Sequence, residues 1–183
     1  ILVKFGRALG ALPEEPTASQ EQFVELAIDS LARDSEEKVS PVQIALLAEV
    51  FKSRPWSADE LKKIGGSKAI GQLFLDQAFL QRAAPTRNRF HAEAATKVLE
   101  FLLPIGDQEI RAAAKPLSEI REASGYANNP QAFGHLLQIL DTEIRLITPQ
   151  DSNSSDSKEE VARYQLTHDY LVPSIRAWLD RQR

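Results

Sequence analysis

The 183-residue chain contains no cysteine. That excludes a disulfide framework, a thiolate metal site and a thiol nucleophile. No apolar run approaches the roughly 20 residues that a membrane-crossing helix needs. No leader with a basic start and an apolar core is visible. Only three histidines are present, His91, His135 and His168. No H-x-x-x-H or carboxylate spacing gathers them on a metal. His91 opens a helix face and His135 sits among apolar neighbours, so both read as structural. Ser174 lies in no G-x-S-x-G context, which leaves a serine hydrolase unsupported. The chain also lacks G-x-x-x-x-G-K-[ST] and an acidic strand end to hold Mg²⁺. Gly65-Gly66-Ser67-Lys68 has the wrong spacing and no preceding apolar strand, so it reads as a helix stop. The chain is therefore not a complete NTPase. Its net charge of −4 argues against general binding to nucleic acid or anionic membranes.

What is present is ordinary globular material, 43% hydrophobic and 26% charged. The length suits one large or two small domains. The first residue is Ile1 rather than Met, as expected of a piece of a longer protein. Residues 1–16 read as the tail of a preceding element, with a strand over Ile1 to Phe5. Residues 17–84 then read as a helical, lid-like bundle. Ser19 is the expected cap of a helix whose stripe is Phe23, Val24, Ala27, Ile28 and Leu31. Ser40-Pro41-Val42-Gln43 opens a second helix, with Ser40 as N-cap and Pro41 at the first helical position. That helix is apolar nearly all round and is expected to be buried, ending before Pro55. Ser57-Ala58-Asp59-Glu60 is a capping box, and Gly65-Gly66 ends its short helix. A fourth helix is expected from Ser67 to Leu80, with Ile70, Phe74 and Leu75 inward. Trp56 and Trp178 fall at core-like spacing and read as packing residues.

Residues 85–183 have a different rhythm. A helix over Phe90 to Leu103 presents Ala94, Ala95, Val98, Leu99 and Leu102 on one face. Helices are expected over Asp107 to Ala114, Leu117 to Ser124, and Asn129-Pro130 to about Leu140. Two alternating segments, Glu143 to Thr148 and Ala162 to Leu166, read as strands. The polar run Asp151 to Lys158 would be their hairpin tip. A last helix carries Leu171, Ile175, Trp178 and Leu179 at i, i+4, i+7, i+8. The expected fold class is thus mainly α. A helical bundle is followed by a winged helix-turn-helix with a two-stranded β-wing.

The most informative stretch is Gln165 to Trp178. A strand runs into His168-Asp169, and a helix follows. Such a corner offers backbone N–H groups and the positive end of a helix to an anion. The bland alternative is that Asp169 merely caps the last helix. This stretch resembles the end of the winged-helix domain of STAND signalling NTPases, where a His-Asp pair (the MHD motif) touches bound ADP in the resting state. Thr167-His168-Asp169 matches two of the three letters, and Leu166 supplies the apolar residue before it. The resemblance extends to Arg145-Leu146-Ile147-Thr148-Pro149, to Tyr164 through Arg176, to Pro41 through Val50, to Arg54-Pro55-Trp56-Ser57 and to Gly65-Gly66. It covers about Phe23 to Arg181 and is nearest to a bacterial group of large multidomain STAND chains.

The resemblance implies a non-catalytic regulatory arm: a lid and winged helix that close over ADP held by the parent's NTPase domain. His168 and Asp169 would sense the nucleotide. Pro41 would touch adenine, although Val39 stands where the family's G-x-P motif has glycine. ADP or ATP would enter only through that missing domain, with none for this segment alone. Partners would be the NTPase domain itself and, on activation, further copies, in a cytoplasmic setting. Two other classes stay open. One is a DNA-binding winged helix, which the third helix of the C-terminal part opposes by having no Lys or Arg between Pro130 and Leu140. The other is a protein–protein adaptor that no longer contacts nucleotide.

Overall fold

The computed structural model describes residues 1–33, 39, 41–65, 67–82, 84–104, 106, 113–150 and 162–183. The expected N-cap Ser40, the second glycine Gly66, most of the helix expected over Asp107 to Ala114, and the tip Asp151 to Lys158 lie outside these residues. The chain is mainly helical, and the described residues form one three-stranded antiparallel sheet. It divides into two compact units, Ile1–Gln77 and Ala78–Arg183.

Unit 1 contains α1 (Leu2–Ala8), α2 (Ala18–Arg33), α3 (Pro41–Val50), α4 (Ala58–Ile64) and α5 (Ser67–Leu75). The strand expected over Ile1 to Phe5 is instead helix α1. A single alternation in five residues cannot separate the two periods, and here Leu2 and Leu12 are buried against the bundle. Residues 1–16 therefore belong to unit 1. The cap of α2 is Thr17 rather than Ser19. Thr17 N–H donates to Gln20 Oε1 at 2.9 Å, and Gln20 N–H donates back to Thr17 Oγ1 at 3.4 Å. This is a reciprocal T-x-x-Q capping box, two residues earlier than expected. Within the α2 stripe, Phe23, Ala27 and Leu31 are buried, but Ile28 is 41% exposed.

Helix α3 buries Ile44, Leu47, Ala48 and Val50, while Pro41 and Ala45 are exposed, so it is not buried all round. Half of the expected α4 box forms: Glu60 N–H donates to Ser57 Oγ at 3.3 Å, but Ser57 N–H donates to Pro55 O at 3.0 Å and the Glu60 carboxylate accepts from Arg54 instead. Gly65 ends the helix at φ +89°. Phe23 stands edge-on to Phe51 at 4.8 Å and against Trp56 at 5.2 Å. The buried indole is satisfied by Trp56 Nε1–H donating to Phe51 O at 3.1 Å. Ile70, Phe74 and Leu75 of α5 point inward. The expected fourth helix continues past α5 as a wider π-helical turn over Asp76–Leu80.

Gly6 of α1 lets the helix approach this core. A Cβ there would meet Leu12 Cδ1 at 2.6 Å and Trp56 Cζ3 at 2.7 Å. Alanine would gain about 1 kcal/mol of helix propensity. Overpacking typically costs about 1–3 kcal/mol, and both neighbours are buried with little room to give way. Gly6→Ala should therefore lower the stability of unit 1, as read from a reduced urea midpoint. A raised midpoint would show that α1 is free to shift.

Unit 2 contains α6 (Thr86–Phe90), α7 (Ala92–Leu102), β1 (Lys115–Pro116), α8 (Leu117–Ala123), α9 (Pro130–Gln138), β2 (Ile147–Gln150), β3 (Arg163–Leu166) and α10 (Leu171–Asp180). The helix expected from Phe90 breaks at His91. Its face Ala94, Ala95, Val98, Leu99 and Leu102 is buried as expected. Asn129 caps α9 by accepting from Ala132 N–H at 3.0 Å, with Pro130 at the first helical position. A π-helical turn over Ile139–Glu143 continues that helix.

The strand expected from Glu143 starts only at Ile147. The chain reverses at Arg145, whose φ is +51°, and Leu146 N–H donates to Leu140 O at 2.8 Å. Leu146 and Ile147 are both buried, which strand alternation does not allow. The sheet has order β1-β3-β2. Leu166 pairs with Ile147 and Arg163 with Gln150, while Lys115 pairs with Tyr164. Three strands rather than two make the sheet, because the two residues of β1 carry no readable period. Pro116 and Pro149 occupy the outer strands, where a missing N–H is tolerated. Leu171, Val172, Ile175, Trp178 and Leu179 of α10 are buried, as the helical spacing requires.

Candidate functional site

The central strand β3 ends at buried Leu166, and Thr167 N–H donates to Leu146 O at 2.9 Å. The chain then turns through His168-Asp169-Tyr170 into α10. The capping position is held by Tyr170, which makes no side-chain cap bond. The turn closes through the backbone: Leu171 N–H donates to His168 O at 3.1 Å and Val172 N–H to Asp169 O at 3.0 Å. In the first turn of α10 the Leu171 and Val172 N–H groups are thus occupied, and Pro173 supplies none.

His168 is half-buried and Asp169 is exposed. The imidazole stacks on the Tyr170 ring, with centroids 5.6 Å apart and planes 27° apart. Burial holds the His168 pKa below its ordinary value, and the Asp169 carboxylate pulls weakly the other way. Near pH 7 the imidazole is therefore neutral, with one N–H to give. Burial also raises the Tyr170 phenol, so it stays protonated. Two hydroxyl oxygens flank the imidazole in sequence, Thr167 Oγ1 and Tyr170 Oη. Both are buried, with no hydrogen-bond partner among the described residues. The sequence reading missed them, because orphaned burial leaves no mark in a linear pattern.

An orphaned buried hydroxyl costs roughly 1–3 kcal/mol, and replacing it by an apolar group of the same shape is near neutral or stabilising. Tyr170→Phe should therefore leave the melting temperature unchanged or raise it, because the stack on His168 survives. A fall of several degrees would show that Tyr170 Oη has a partner in solution.

Pro41 lies in unit 1, exposed at the start of α3. His168 and Asp169 are brought together; Pro41 belongs to the other compact unit. An open cleft of about 430 Å³ also lies in unit 1, lined by Leu9, Gln20, Lys52, Arg54 and Trp56. Its cations are already paired, Arg54 with Glu60 at 3.1 Å and Lys52 with Glu49 at 3.5 Å. Among the described residues, no group of three or more His, Cys, Asp or Glu could hold a metal ion. No described helix is long and apolar enough to cross a membrane. No protein-family model, curated protein or solved structure matches the chain.

Proposed function

We propose that this chain is the non-catalytic regulatory arm of a STAND-type signalling NTPase, an intramolecular switch that closes over ADP in the resting state. Unit 1 would be the helical lid. Unit 2 would be the winged helix, a reading supported by its order of helix, short strand, two helices, two strands and helix. The observation that carries the proposal is His168. It is half-exposed at the β3–α10 corner, neutral near pH 7 and steadied by the Tyr170 ring.

In the closed state the His168 imidazole N–H donates to a phosphate oxygen of ADP bound by the parent's nucleotide-binding domain. Exchange for ATP removes that contact and releases the arm. A ligand shifts such an equilibrium only through contacts it makes in one state and not the other. Pro41 is the candidate adenine contact from the lid. Phosphoryl transfer itself would belong to the parent domain, since this chain has neither a Walker A loop nor a Walker B acid. The setting would be a bacterial cytoplasm. The partners would be the NTPase domain and, once released, other copies.

A DNA-binding role is less well supported. The only titratable side chain on α9 is His135, with no Lys or Arg to meet phosphates. An adaptor that has lost nucleotide contact would show no dependence on His168. The test is an ADP titration of a longer chain carrying the NTPase domain, as wild type and as His168→Ala. Weaker binding in the variant supports the switch, and equal binding removes it.

A further inference from the structure

His91 sits between α6 and α7 and is only 2% exposed. Its Nδ1 lies 2.9 Å from Tyr126 Oη, and its ring stands edge-on to the Tyr126 ring at 5.6 Å. Tyr126 lies in the turn between α8 and α9. That turn is set by Gly125 at φ +82° and by Ser124, whose hydroxyl accepts from Tyr126 N–H at 3.1 Å. On α9, the exposed His135 ring stands 6.4 Å from that of His91. Three elements thus meet on one buried imidazole.

The surrounding charges favour the neutral ring. Burial is the main influence lowering the His91 pKa, followed by His135 and then Arg87. Arg87 of α6 is itself ion-paired with Glu143. On α7, Glu93 and Lys97 bind each other at 2.7 Å. Helix α8 carries Glu119, Arg121 and Glu122, none of which is among the charges acting on His91. On α10 and just after it, Arg176 donates to Pro104 O and Gly106 O, and Arg183 pairs with Glu100 and Asp180, and neither arginine is among the charges acting on His91. The hydrogen bond itself is neutral in this choice, since Tyr126 Oη can donate to a neutral Nδ1 or accept from a protonated one. The preference for the neutral ring comes from its burial at 2% exposure and from the cationic neighbours His135 and Arg87.

We propose that His91, Tyr126 and His135 form an acid-released latch. While neutral, His91 holds the Gly125-Tyr126 turn against the start of α7, and proton uptake there loosens α8 and α9. The latch is independent of the His168 switch. Because the folded state disfavours protonated His91, the stability it contributes is fully present above the ordinary value of 6.5. It is lost as pH falls through the lower, folded value, where the unfolded chain binds the extra proton.

Amide hydrogen exchange, corrected for the intrinsic effect of pH, tests this on the chain as it stands. Between pH 7.5 and 5.5, exchange over residues 117–138 should become severalfold faster relative to α2. His91→Gln should flatten that response, and His135→Gln should reduce it. Exchange at the imidazole C2 of wild-type His91 gives its titration midpoint even if the variants fold poorly. That midpoint should lie below 6.5 and coincide with the loosening. An undiminished response in His91→Gln, no response in wild type, or a midpoint at or above 6.5 would overturn the latch.

Discussion

Replacing Trp178 by alanine should remove much of the stability of unit 2. The indole is fully buried on α10, and its ring lies 6.4 Å from that of Phe79. It is the largest fully buried side chain in the molecule's described core. Truncating a buried Trp typically costs about 3–5 kcal/mol, because the lost transfer energy is joined by the cavity left behind. Small domains have only about 5–15 kcal/mol in total. The urea midpoint followed by exchange at α7 and α10 should therefore fall by more than about 1 M. The remaining tryptophan, Trp56, reports on unit 1 and separates the two effects. A shift below about 1 kcal/mol would mean that α10 is not packed as described.

The second large effect concerns His168. A neutral imidazole N–H to phosphate is worth about 1–1.5 kcal/mol net, and more if the ring becomes charged. Its loss moves an off-to-on balance roughly tenfold. The stack on Tyr170 is also lost, but the corner is held by backbone bonds from Leu171 and Val172 rather than by the imidazole. On the proposed regulatory-arm reading, His168→Ala should therefore weaken ADP binding in a longer chain carrying the NTPase domain and raise its unstimulated output, with the fold intact.

The local rules were legible wherever they were strong. The Ser57 N-cap, the Gly65 stop, the Asn129-Pro130 start and the α10 stripe all appear where the residues put them. Short elements failed for a physical reason. Residues 1–5 and the two residues of β1 are too few for the period of either helix or strand to repeat legibly. The π-helical turns at Asp76–Leu80 and Ile139–Glu143 leave no mark in local propensity or period. The reversal at Arg145 hid for the same reason, since a non-glycine residue at positive φ gives no signal. At the site, the type and spacing of His168-Asp169 were readable. Thr167 and Tyr170 were not, because their interest lies in what their buried hydroxyls fail to touch. The latch histidine was seen and read as structural, and its contacts to Tyr126 and His135 come from segments 35 and 44 residues away.

The most direct measurement of the proposed switch compares ADP affinity and basal output of a longer chain carrying the proposed NTPase domain, wild type against His168→Ala, at matched thermal stability. The regulatory-arm account predicts roughly tenfold weaker ADP binding and higher basal output. Unchanged affinity and unchanged output would make His168 a surface histidine and contradict the switch.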